Sequence, residues 1–427
     1  MIRRTLPLLA SSLLLVACIA TSDAVTDATS DAITDATSDA ITDARLDVTG
    51  DVASDVTGDV ASDAITDATA DATADATPDT GPPPRADLAW PPDTEGPYRT
   101  GYRSLSVTYQ PAGVPEPRTF KLALWYPTTD TEGPDAIYLG IFADDGAIAD
   151  ASLAPPAVGT TYPLHVHSHG HLGYAGASPS LFHHFASHGW VVAAPEHTGN
   201  TTLDAKVERP TSMFFLRSFD VSAALDALRD LPATDPLAGH LDTEHVIMSG
   251  HSFGGYTTFA SVGAAFDMPS IEAGCAQDKG PGGACTAAEI EVFRQGTRDP
   301  RVVAAIPMAA GNRAMFGDAG YSHVAVPILM MTGDADTSVP DATEGDPIFA
   351  ALAGKDVTRV SIAGGCHQVF GIGGCADIAD ADGFAIVSTY ALAFARARLL
   401  GDTSVSAILD GSAPVSPAAT LTHAAAE

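Results

Sequence analysis

The sequence predicts an α/β fold in which a mostly parallel, doubly wound sheet is flanked by helices, and three observations lead to this prediction. Hydrophobic residues make up 45% of the 427 residues, which is ample for a sizeable core. Short apolar runs, typical of strands buried on both faces, alternate with helical patterns. One of these runs also passes through a glycine-rich turn directly into a helix, a junction typical of the functional edge of such sheets.

The predicted strands and helices follow in order along the chain. Leu105–Tyr109 and Phe120–Tyr126 alternate apolar and polar residues, as expected of an antiparallel sheet edge. The buried strands are predicted at Leu164–Ser168, Val191–Ala194, Val246–Ser249, Val302–Pro307, Ile328–Thr332 and Val357–Ile362. The helices are predicted at Ser180–His188, Ser212–Leu231, Gly255–Ala265 and Phe384–Leu400. Parallel sheets place their chemistry at the carboxyl ends of strands, so candidate functional residues are sought there.

The first residues have the pattern of a bacterial lipoprotein signal. A basic start is followed by an apolar run from Leu6 to Ala17, which is too short to span a bilayer about 30 Å thick, and then by Cys18. We expect a signal peptide at residues 1–17, with Cys18 acylated after cleavage; a plain secretory signal is the alternative. The expected location is the bacterial cell envelope, at the outer membrane, with the protein anchored through its lipid.

An acidic repeat occupies the next segment, residues 18–95. An aspartate recurs at every fourth position from Asp23 to Asp79, and these fifteen residues with Arg45 account for 14 of the 32 net negative charges. A helix would stack like charges there without an apolar stripe to compensate, so we expect a disordered linker. A calcium-binding or adhesive repeat is the alternative.

The charge of the whole chain is strongly negative, with 53 acidic and 21 basic residues. This balance excludes nucleic-acid binding through a basic face.

One folded domain is expected at residues 96–403, followed by a C-terminal tail at 404–427. Four cysteines remain in this part of the chain, in two close pairs. In an exported protein, two short-loop disulfides, Cys275 with Cys285 and Cys366 with Cys375, are the simplest interpretation. Four free thiols or a zinc site are the alternatives, although neither pair has CxxC spacing.

A turn of the GxSxG type follows the strand predicted at Val246–Ser249. It reads Gly250-His251-Ser252-Phe253-Gly254 and leads at once into a helical pattern. Such a sharp strand-to-helix turn strains the serine and exposes its hydroxyl at the edge of the sheet, while small neighbours admit the surrounding backbone. Ser252 is therefore the candidate nucleophile.

A nucleophilic serine needs a base, and the base needs an orienting carboxylate, in the chain order Ser, Asp, His. Asp336 follows the strand predicted at Ile328–Thr332, and His367 follows the one at Val357–Ile362. Asp334 is the weaker candidate for the acid, because it lies one residue beyond Gly333 in the turn. The amides of Phe253 and His171 are the candidate oxyanion donors, one after the nucleophile and one in the loop after the strand Leu164–Ser168.

A metal site is the alternative reading of the strand that precedes this loop. His165, His167 and His169 recur at period two on one strand face, and HxH begins several metallohydrolase centres. No HxHxDH motif follows, and no further acidic cluster completes a ligand shell. We therefore expect neither a metal nor another cofactor.

These motifs together resemble the α/β-hydrolase superfamily, and within it the branch of plasma-type platelet-activating-factor acetylhydrolases, predicted dienelactone hydrolases and polyester hydrolases. The segments that carry the resemblance are Ser168–Gly170, Phe185–Pro195, His197–Asn200, Gly250–Gly255, Gly333–Pro340, Ala393–Arg396 and Leu399–Gly401. The resemblance implies a carboxylic ester hydrolase without a cofactor that acts through Ser252, Asp336 and His367. The implied partners are a small-molecule or lipid ester and, through the N-terminal anchor, a membrane.

The sequence departs from this branch in two places. Dienelactone hydrolases use a cysteine nucleophile, whereas Ser252 stands here, so their substrate is not implied. The segment Phe266–Pro300 does not align, and we expect it to form a cap-like insertion over the substrate site. The competing function is a catalytically silent surface-binding or adhesion protein on the same scaffold, for which the repetitive acidic linker is the argument.

Overall fold

The strands in the described part of the chain form one sheet. The computed structural model describes residues 90–156, 161–204 and 208–424, so the predicted signal peptide, Cys18 and nearly all of the acidic linker lie outside the described residues. The strands are β1 (Arg99–Tyr109), β2 (Arg118–Thr128), β3 (Asp135–Tyr138), β4 (Phe142–Ala149), β5 (Tyr162–Ser168), β6 (Val191–Pro195), β7 (Leu241–His251), β8 (Val302–Met308), β9 (Ile328–Gly333), β10 (Val357–Ile362) and β11 (Ala419–His423). Their order in the sheet is β11-β10-β9-β8-β7-β5-β6-β2-β1-β4-β3.

The centre of the sheet is parallel and its two edges are mixed. Strands β6, β5, β7, β8, β9 and β10 pair in parallel with their neighbours. Strand β2 pairs antiparallel with both β1 and β6, and β11 pairs antiparallel with β10. The pairing of β2 is antiparallel as predicted, but β2 lies inside the sheet and not at its edge. Because Gly333 pairs with Ile362 at the ends of β9 and β10, the loops that follow these two strands leave the sheet side by side.

Helices cover both faces of the sheet. They are α1 (Pro179–Ser187), α2 (Met213–Arg229), α3 (Phe253–Ser261), α4 (Met268–Cys275), α5 (Ala287–Gln295), α6 (Gly317–Tyr321), α7 (Asp346–Ala351), α8 (Asp380–Leu400) and α9 (Ser406–Leu409). Apolar residues of α2 and α3 pack in one core with Leu164 and Val166 of β5. Residues of α1 and α8 pack in a second core with Val192 and Ala194 of β6. The predicted fold class, a doubly wound, mostly parallel α/β sheet, is confirmed.

Helix α8 belongs to the second core. By length and composition it is the one helix among the described residues that is long and apolar enough to cross a membrane. However, 67% of its most apolar 18-residue stretch is buried inside the protein, where Ile386, Tyr390 and Phe394 contribute to the core. Its apolar composition is therefore explained by packing within the domain.

The C-terminal residues differ from the prediction. Instead of a tail outside the domain, residues 404–424 form α9 and then β11, which extends the sheet by pairing Leu421 with Val360. This strand is short and only partly apolar, so its sequence pattern is weak and its position depends on the edge that β10 offers.

The unaligned segment Phe266–Pro300 contains α4 and α5. Cys275 at the end of α4 forms a disulfide with Cys285, and the loop that this disulfide closes packs on the segment before α2. The Thr211 hydroxyl donates to the Ala284 carbonyl at 3.1 Å, and the Gly282 N–H donates to the Thr211 hydroxyl at 3.2 Å. The insertion is thus fixed to the chain that leads into α2.

Candidate active site

Ser252 lies in the sharp turn between β7 and α3. Its φ of 58° falls in the left-handed region, which is strained for a residue with a side chain. The Ser252 N–H donates to the Met308 carbonyl of β8 at 2.9 Å, which ties the turn to the neighbouring strand. The side chain is partly exposed and stands at the N-terminus of α3, where the helix dipole favours negative charge.

The glycines around Ser252 are needed because backbone passes very close to them. A Cβ atom on Gly254 would lie 1.8 Å from the Ser168 carbonyl oxygen of β5. A Cβ atom on Gly250 would lie 2.2 Å from the Gly254 carbonyl oxygen. Since real Cβ atoms do not approach so closely, the turn tolerates no side chain at either position.

His367 and Asp336 lie together in the loops that follow β10 and β9. Nδ1 of His367 is 2.7 Å from Oδ2 of Asp336. The other carboxylate oxygen of Asp336 accepts from the N–H groups of Ser338 and Val339, at 2.8 and 2.9 Å. These three contacts fix a carboxylate whose side chain is only 1% exposed, while the imidazole stays partly accessible.

Asp334 has a different role from Asp336. Its Oδ1 accepts from the Gly364 N–H at 2.7 Å and so joins the two loops that carry Asp336 and His367. The structure therefore brings Asp336, and not Asp334, to the candidate base.

His251 connects the serine turn with the histidine loop. Its ring centroid lies 4.6 Å from that of His367, and it immediately precedes Ser252 in the chain. Burial, followed by the nearby imidazole of His367, lowers the pKa of His251 well below its usual value. A neutral His251 leaves His367 free of like-charge repulsion when His367 takes a proton.

The loop after β5 covers the serine turn. Gly170 and Gly173 close a turn in which the Gly173 N–H donates to the Gly170 carbonyl at 3.1 Å, with Leu172 at a φ of 53°. A Cβ atom on Gly170 would lie 3.3 Å from Cβ of Ser252, so the turn lies directly against the candidate nucleophile. The predicted donor His171 lies in this turn.

Phe253 supplies the other predicted donor. It is the first residue of α3, a position whose N–H has no acceptor within its own helix. Its side chain is buried and lies edge-on to the His171 ring at a centroid distance of 6.3 Å. This ring contact places the two residues that carry the predicted donors next to each other.

The three strand histidines are held by other protein groups. Nε2 of His165 and Nδ1 of His167 both lie within hydrogen-bond distance of the Ser249 hydroxyl, at 2.6 and 2.8 Å. The His169 ring contacts the Gly170 carbonyl through Nδ1 and accepts from the His197 N–H through Nε2. Burial lowers the pKa of all three, so they are neutral. Among the described residues no group of three or more His, Cys, Asp or Glu is arranged to hold a metal ion.

A buried polar network behind the loop after β5 was not predicted from the sequence. It runs from Arg217 and Asp220 on α2 to His197 and Asn200, which follow β6. The His197–Asn200 segment carries part of the family resemblance, and the local signal for the rest is that Arg217 and Asp220 lie in the mostly apolar first half of α2.

The second disulfide joins Cys366 to Cys375, as the cysteine spacing predicted. It begins at the residue before His367, and the Cys366 N–H also lies 3.1 Å from the Cys375 sulfur. The disulfide therefore restrains the start of the loop that holds the candidate base.

Two comparisons with known proteins bear on this site. Residues 150–269 match the family model described as Chlorophyllase. This segment includes His171 and Ser252 but ends before Asp336 and His367. The chain is also 26% identical over 231 residues to the platelet-activating factor acetylhydrolase of Cavia porcellus, with 40% of this chain and 52% of that protein covered. The chain thus spans about half the length of this curated relative. Both similarities support an α/β-hydrolase-type family.

Proposed function

We propose that the protein is a serine hydrolase of carboxylic esters, with Ser252 as nucleophile, His367 as general base and Asp336 as the orienting acid. The observation that carries the proposal is the placement of a strained, partly exposed serine and a histidine–carboxylate pair at one edge of a parallel sheet. The names of the two matches, a chlorophyllase family and an acetylhydrolase, support hydrolysis of an ester or lipid substrate.

The reaction begins with proton transfer from the serine. Because the Nδ1–H group of His367 donates a hydrogen bond to Asp336, the Nε2 atom of that ring is left to accept a proton from Ser252. The Ser252 oxygen attacks the ester carbonyl carbon, and His367 returns the proton to the departing alkoxide. Water, deprotonated by His367, then attacks the acyl-enzyme, and the carboxylic acid leaves as the Ser252 oxygen regains the proton.

The negative oxygen of each tetrahedral intermediate needs hydrogen-bond donors that are already in place. The proposed donors are the backbone N–H groups of Phe253 and His171. Loss of one such donor from an active site typically costs about 10²–10³ in kcat. The N-terminus of α3 adds a favourable dipole at the same point.

The expected substrate is a lipid-like or small acyl ester. The similarity to the platelet-activating factor acetylhydrolase of Cavia porcellus supports a lipid with a short acyl group as one candidate. A panel of p-nitrophenyl esters from acetate to decanoate, followed by phospholipid and polyester substrates, separates these classes.

Replacement of Ser252 by alanine tests the proposal. We expect Ser252→Ala to lose at least about 10³ in kcat on p-nitrophenyl esters and to lose all labelling by a fluorophosphonate probe. Ser261→Ala is the matched control, because it removes a buried hydroxyl at the far end of the same helix α3. We expect the control to keep both activity and labelling.

Three outcomes would contradict the proposal. Full activity of Ser252→Ala would remove Ser252 from the mechanism. Loss of activity with a zinc chelator, combined with resistance to the fluorophosphonate, would favour a metal hydrolase. Absence of both hydrolysis and labelling in the unmodified protein would favour the silent binding protein.

We propose from the sequence that Cys18 carries the lipid that attaches this enzyme to the cell envelope. Cys18 lies outside the described residues, so the proposal depends on the lipoprotein-like signal before it. Cys18→Ser is expected to move the protein from the detergent phase to the aqueous phase in a Triton X-114 partition. Unchanged partitioning would contradict lipid attachment.

A further inference from the structure

Arg217 is a fully buried residue whose guanidinium binds the loop that follows β5. Its side chain, on α2, is 0% exposed. Nη1 donates to Oδ1 of Asn200 at 2.7 Å. Nη2 donates to the Ser168 hydroxyl at 3.1 Å and to the carbonyl oxygen of His169. All three acceptors are neutral, although a buried guanidinium usually pairs with a carboxylate.

The acid one turn further along α2 is already occupied. Asp220 accepts two hydrogen bonds from Arg118, at 2.7 and 2.8 Å, and one from the Tyr109 hydroxyl at 2.8 Å. It also accepts from Nδ1 of His197 at 2.8 Å. In the described part of the chain Arg217 therefore has no carboxylate of its own, and it keeps its charge because arginine does not lose its proton in proteins.

The contacts of Arg217 converge on both oxyanion segments. Arg217 binds the carbonyl of His169, the residue just before the Gly170–Gly173 turn that carries His171. Asn200, held by Arg217 through its oxygen, donates through Nδ2 to Nδ1 of His171 at 2.7 Å. The Arg217 guanidinium carbon also lies 4.7 Å from the ring centroid of Phe253, within the range of a cation–π interaction.

We propose that Arg217 is a positioning residue that holds the His169–Gly173 turn and Phe253 in place for the oxyanion. The proposal rests on the proposed ester hydrolysis. Positioning of the oxyanion donors acts on the transition state and leaves substrate binding nearly unchanged.

Arg396 offers a matched control for the loss of a buried guanidinium. It is 1% exposed, lies on α8 and pairs with Asp402 at 2.8 Å. It also donates to the carbonyl of Trp90. A loss of folding stability alone should therefore appear in variants of both arginines.

The test compares Arg217→Lys and Arg217→Met with Arg396→Lys, using kcat, KM and the inhibition constant of an alkyl boronic acid, which forms a tetrahedral anion on serine. We expect the Arg217 variants to lose about 30- to 300-fold in kcat with KM within threefold, and boronic acid affinity to fall in parallel. Arg396→Lys should lower the midpoint of thermal unfolding and leave kcat within twofold.

Two results would overturn the positioning role: a rise in KM at constant kcat, or unchanged affinity for the boronic acid in a folded Arg217→Lys variant. Fluorophosphonate labelling of Ser252 in the unmodified protein is measured alongside. If that labelling fails, the proposed function fails, and if labelling succeeds while the Arg217 variants keep full kcat, only the positioning role fails.

A second guanidinium, that of Arg209, lies on the same aromatic ring but is partly exposed. Its carbon lies 4.7 Å from the ring centroid of Phe253 and 5.1 Å from that of Phe214. Among the described residues its hydrogen bonding is limited to a 3.4 Å contact with Oδ1 of Asn312, and no described carboxylate is ion-paired with it.

We infer that Arg209 binds an anionic group of the substrate, a carboxylate or a phosphate, located near the ester that Ser252 attacks. The inference rests on the proposed function and does not depend on Arg217. A partly buried guanidinium next to the residue that follows the nucleophile would gain a charge-assisted pair when such an ester binds.

Matched esters test this inference. The unmodified protein should prefer p-nitrophenyl hydrogen glutarate, or a phosphate-bearing butyrate ester, to neutral p-nitrophenyl valerate, and comparison of the two anions distinguishes carboxylate from phosphate. Arg209→Gln should lower the anionic-to-neutral ratio of kcat/KM at least about tenfold, and Arg209→Lys should lower it less. Arg313→Gln, which removes an arginine paired with Asp318, is the control and should leave the ratio unchanged.

An unchanged ratio in Arg209→Gln, or a preference of the unmodified protein for the neutral ester, would overturn the inference. Hydrolysis of the neutral valerate that depends on Ser252 would still support the proposed function, so the two failures are distinguishable.

Discussion

Nδ1 of His367 lies 2.7 Å from Oδ2 of Asp336, although 31 residues separate them in the chain. The sheet brings these two residues together, because β9 and β10 are parallel neighbours that end side by side and lead into the loops with Asp336 and His367. The backbone of the loop then holds the second oxygen of Asp336, so that the carboxylate faces the imidazole in one orientation.

Replacement of Asp336 by asparagine should strongly reduce catalysis. Asparagine fits the same space, but its amide favours the wrong tautomer of His367, so we expect kcat to fall about 10³- to 10⁴-fold. Asp334→Asn is the control, because the asparagine oxygen still accepts from the Gly364 N–H. The kcat values of both variants on a p-nitrophenyl ester check the prediction, and equal losses would contradict the assignment of Asp336.

The two disulfides should have similar effects on stability and different effects on activity. They close loops of nearly equal length, with sequence separations of 10 for Cys275–Cys285 and 9 for Cys366–Cys375. Each double serine variant should therefore lose about 2–3 kcal/mol of unfolding free energy. Only Cys366→Ser with Cys375→Ser should also lower kcat, by about tenfold, because it frees the residue next to His367.

Urea unfolding midpoints and kcat, measured for both double variants, check this prediction. An equal decrease in kcat, or none in the Cys366 and Cys375 variant, would show that the disulfide does not position His367.

The central strands and the loops that follow them could be predicted from the sequence because most of these strands are short and rich in apolar residues, as in Ile328–Thr332. Val357–Ile362 was predicted with the bounds that β10 has in the structure, and Ile328–Thr332 differs from β9 by one residue. The positions of Ser252, Asp336 and His367 at strand ends followed from these strands. Their roles in catalysis remain predictions.

The Arg217 network could not be predicted because its contacts join distant segments. Arg217 contacts His169 at a sequence separation of 48 and Asn200 at a separation of 17, and no local periodicity marks a buried charge within a helix.

Strands β3 and β4 were not predicted, because Asp144, Asp145 and Gly146 interrupt the apolar alternation of β4. In the folded hairpin of β3 and β4, the Tyr138 hydroxyl donates a hydrogen bond to the Asp144 carboxylate, which offsets the cost of a charged residue within the strand.

Gly170 is expected to affect activity more than stability. A Cβ atom there would lie 3.3 Å from Cβ of Ser252 and 3.6 Å from the His251 carbonyl oxygen, so Gly170→Ala must push the turn away from the nucleophile. A shift of a few tenths of an ångström in the turn that carries His171 should lower kcat about tenfold. Gly311→Ala is the control, because its Cβ would make only an ordinary contact of 3.4 Å with Val339. Equal kcat values for the two variants would contradict the proposed place of the turn in catalysis.

Glu196 should make the stability of the protein depend on pH in the neutral range. Its side chain is 8% exposed, and Oε2 has no hydrogen-bond partner among the described residues. Burial raises the pKa of Glu196 from 4.5 to about 7, against the lowering effects of the Ala175 N–H and of Lys121. The folded protein thus holds a proton on Glu196 at pH values where the unfolded chain has lost it.

The contribution of Glu196 to the free energy of unfolding is therefore fully present below about pH 4.5 and is lost as the pH rises through about 7. It is lost because ionisation of the buried carboxyl costs free energy only in the folded state. Glu196→Gln keeps an acceptor for the Ala175 N–H and cannot ionise. We expect the variant to exceed the unmodified protein by about 1–3 kcal/mol in unfolding free energy at pH 8, and to gain little at pH 5. Urea unfolding at pH 5, 6.5 and 8 measures the difference, with the exposed Glu116→Gln as control. Parallel pH dependences in Glu196→Gln and the unmodified protein would show that Glu196 titrates as an ordinary surface carboxylate.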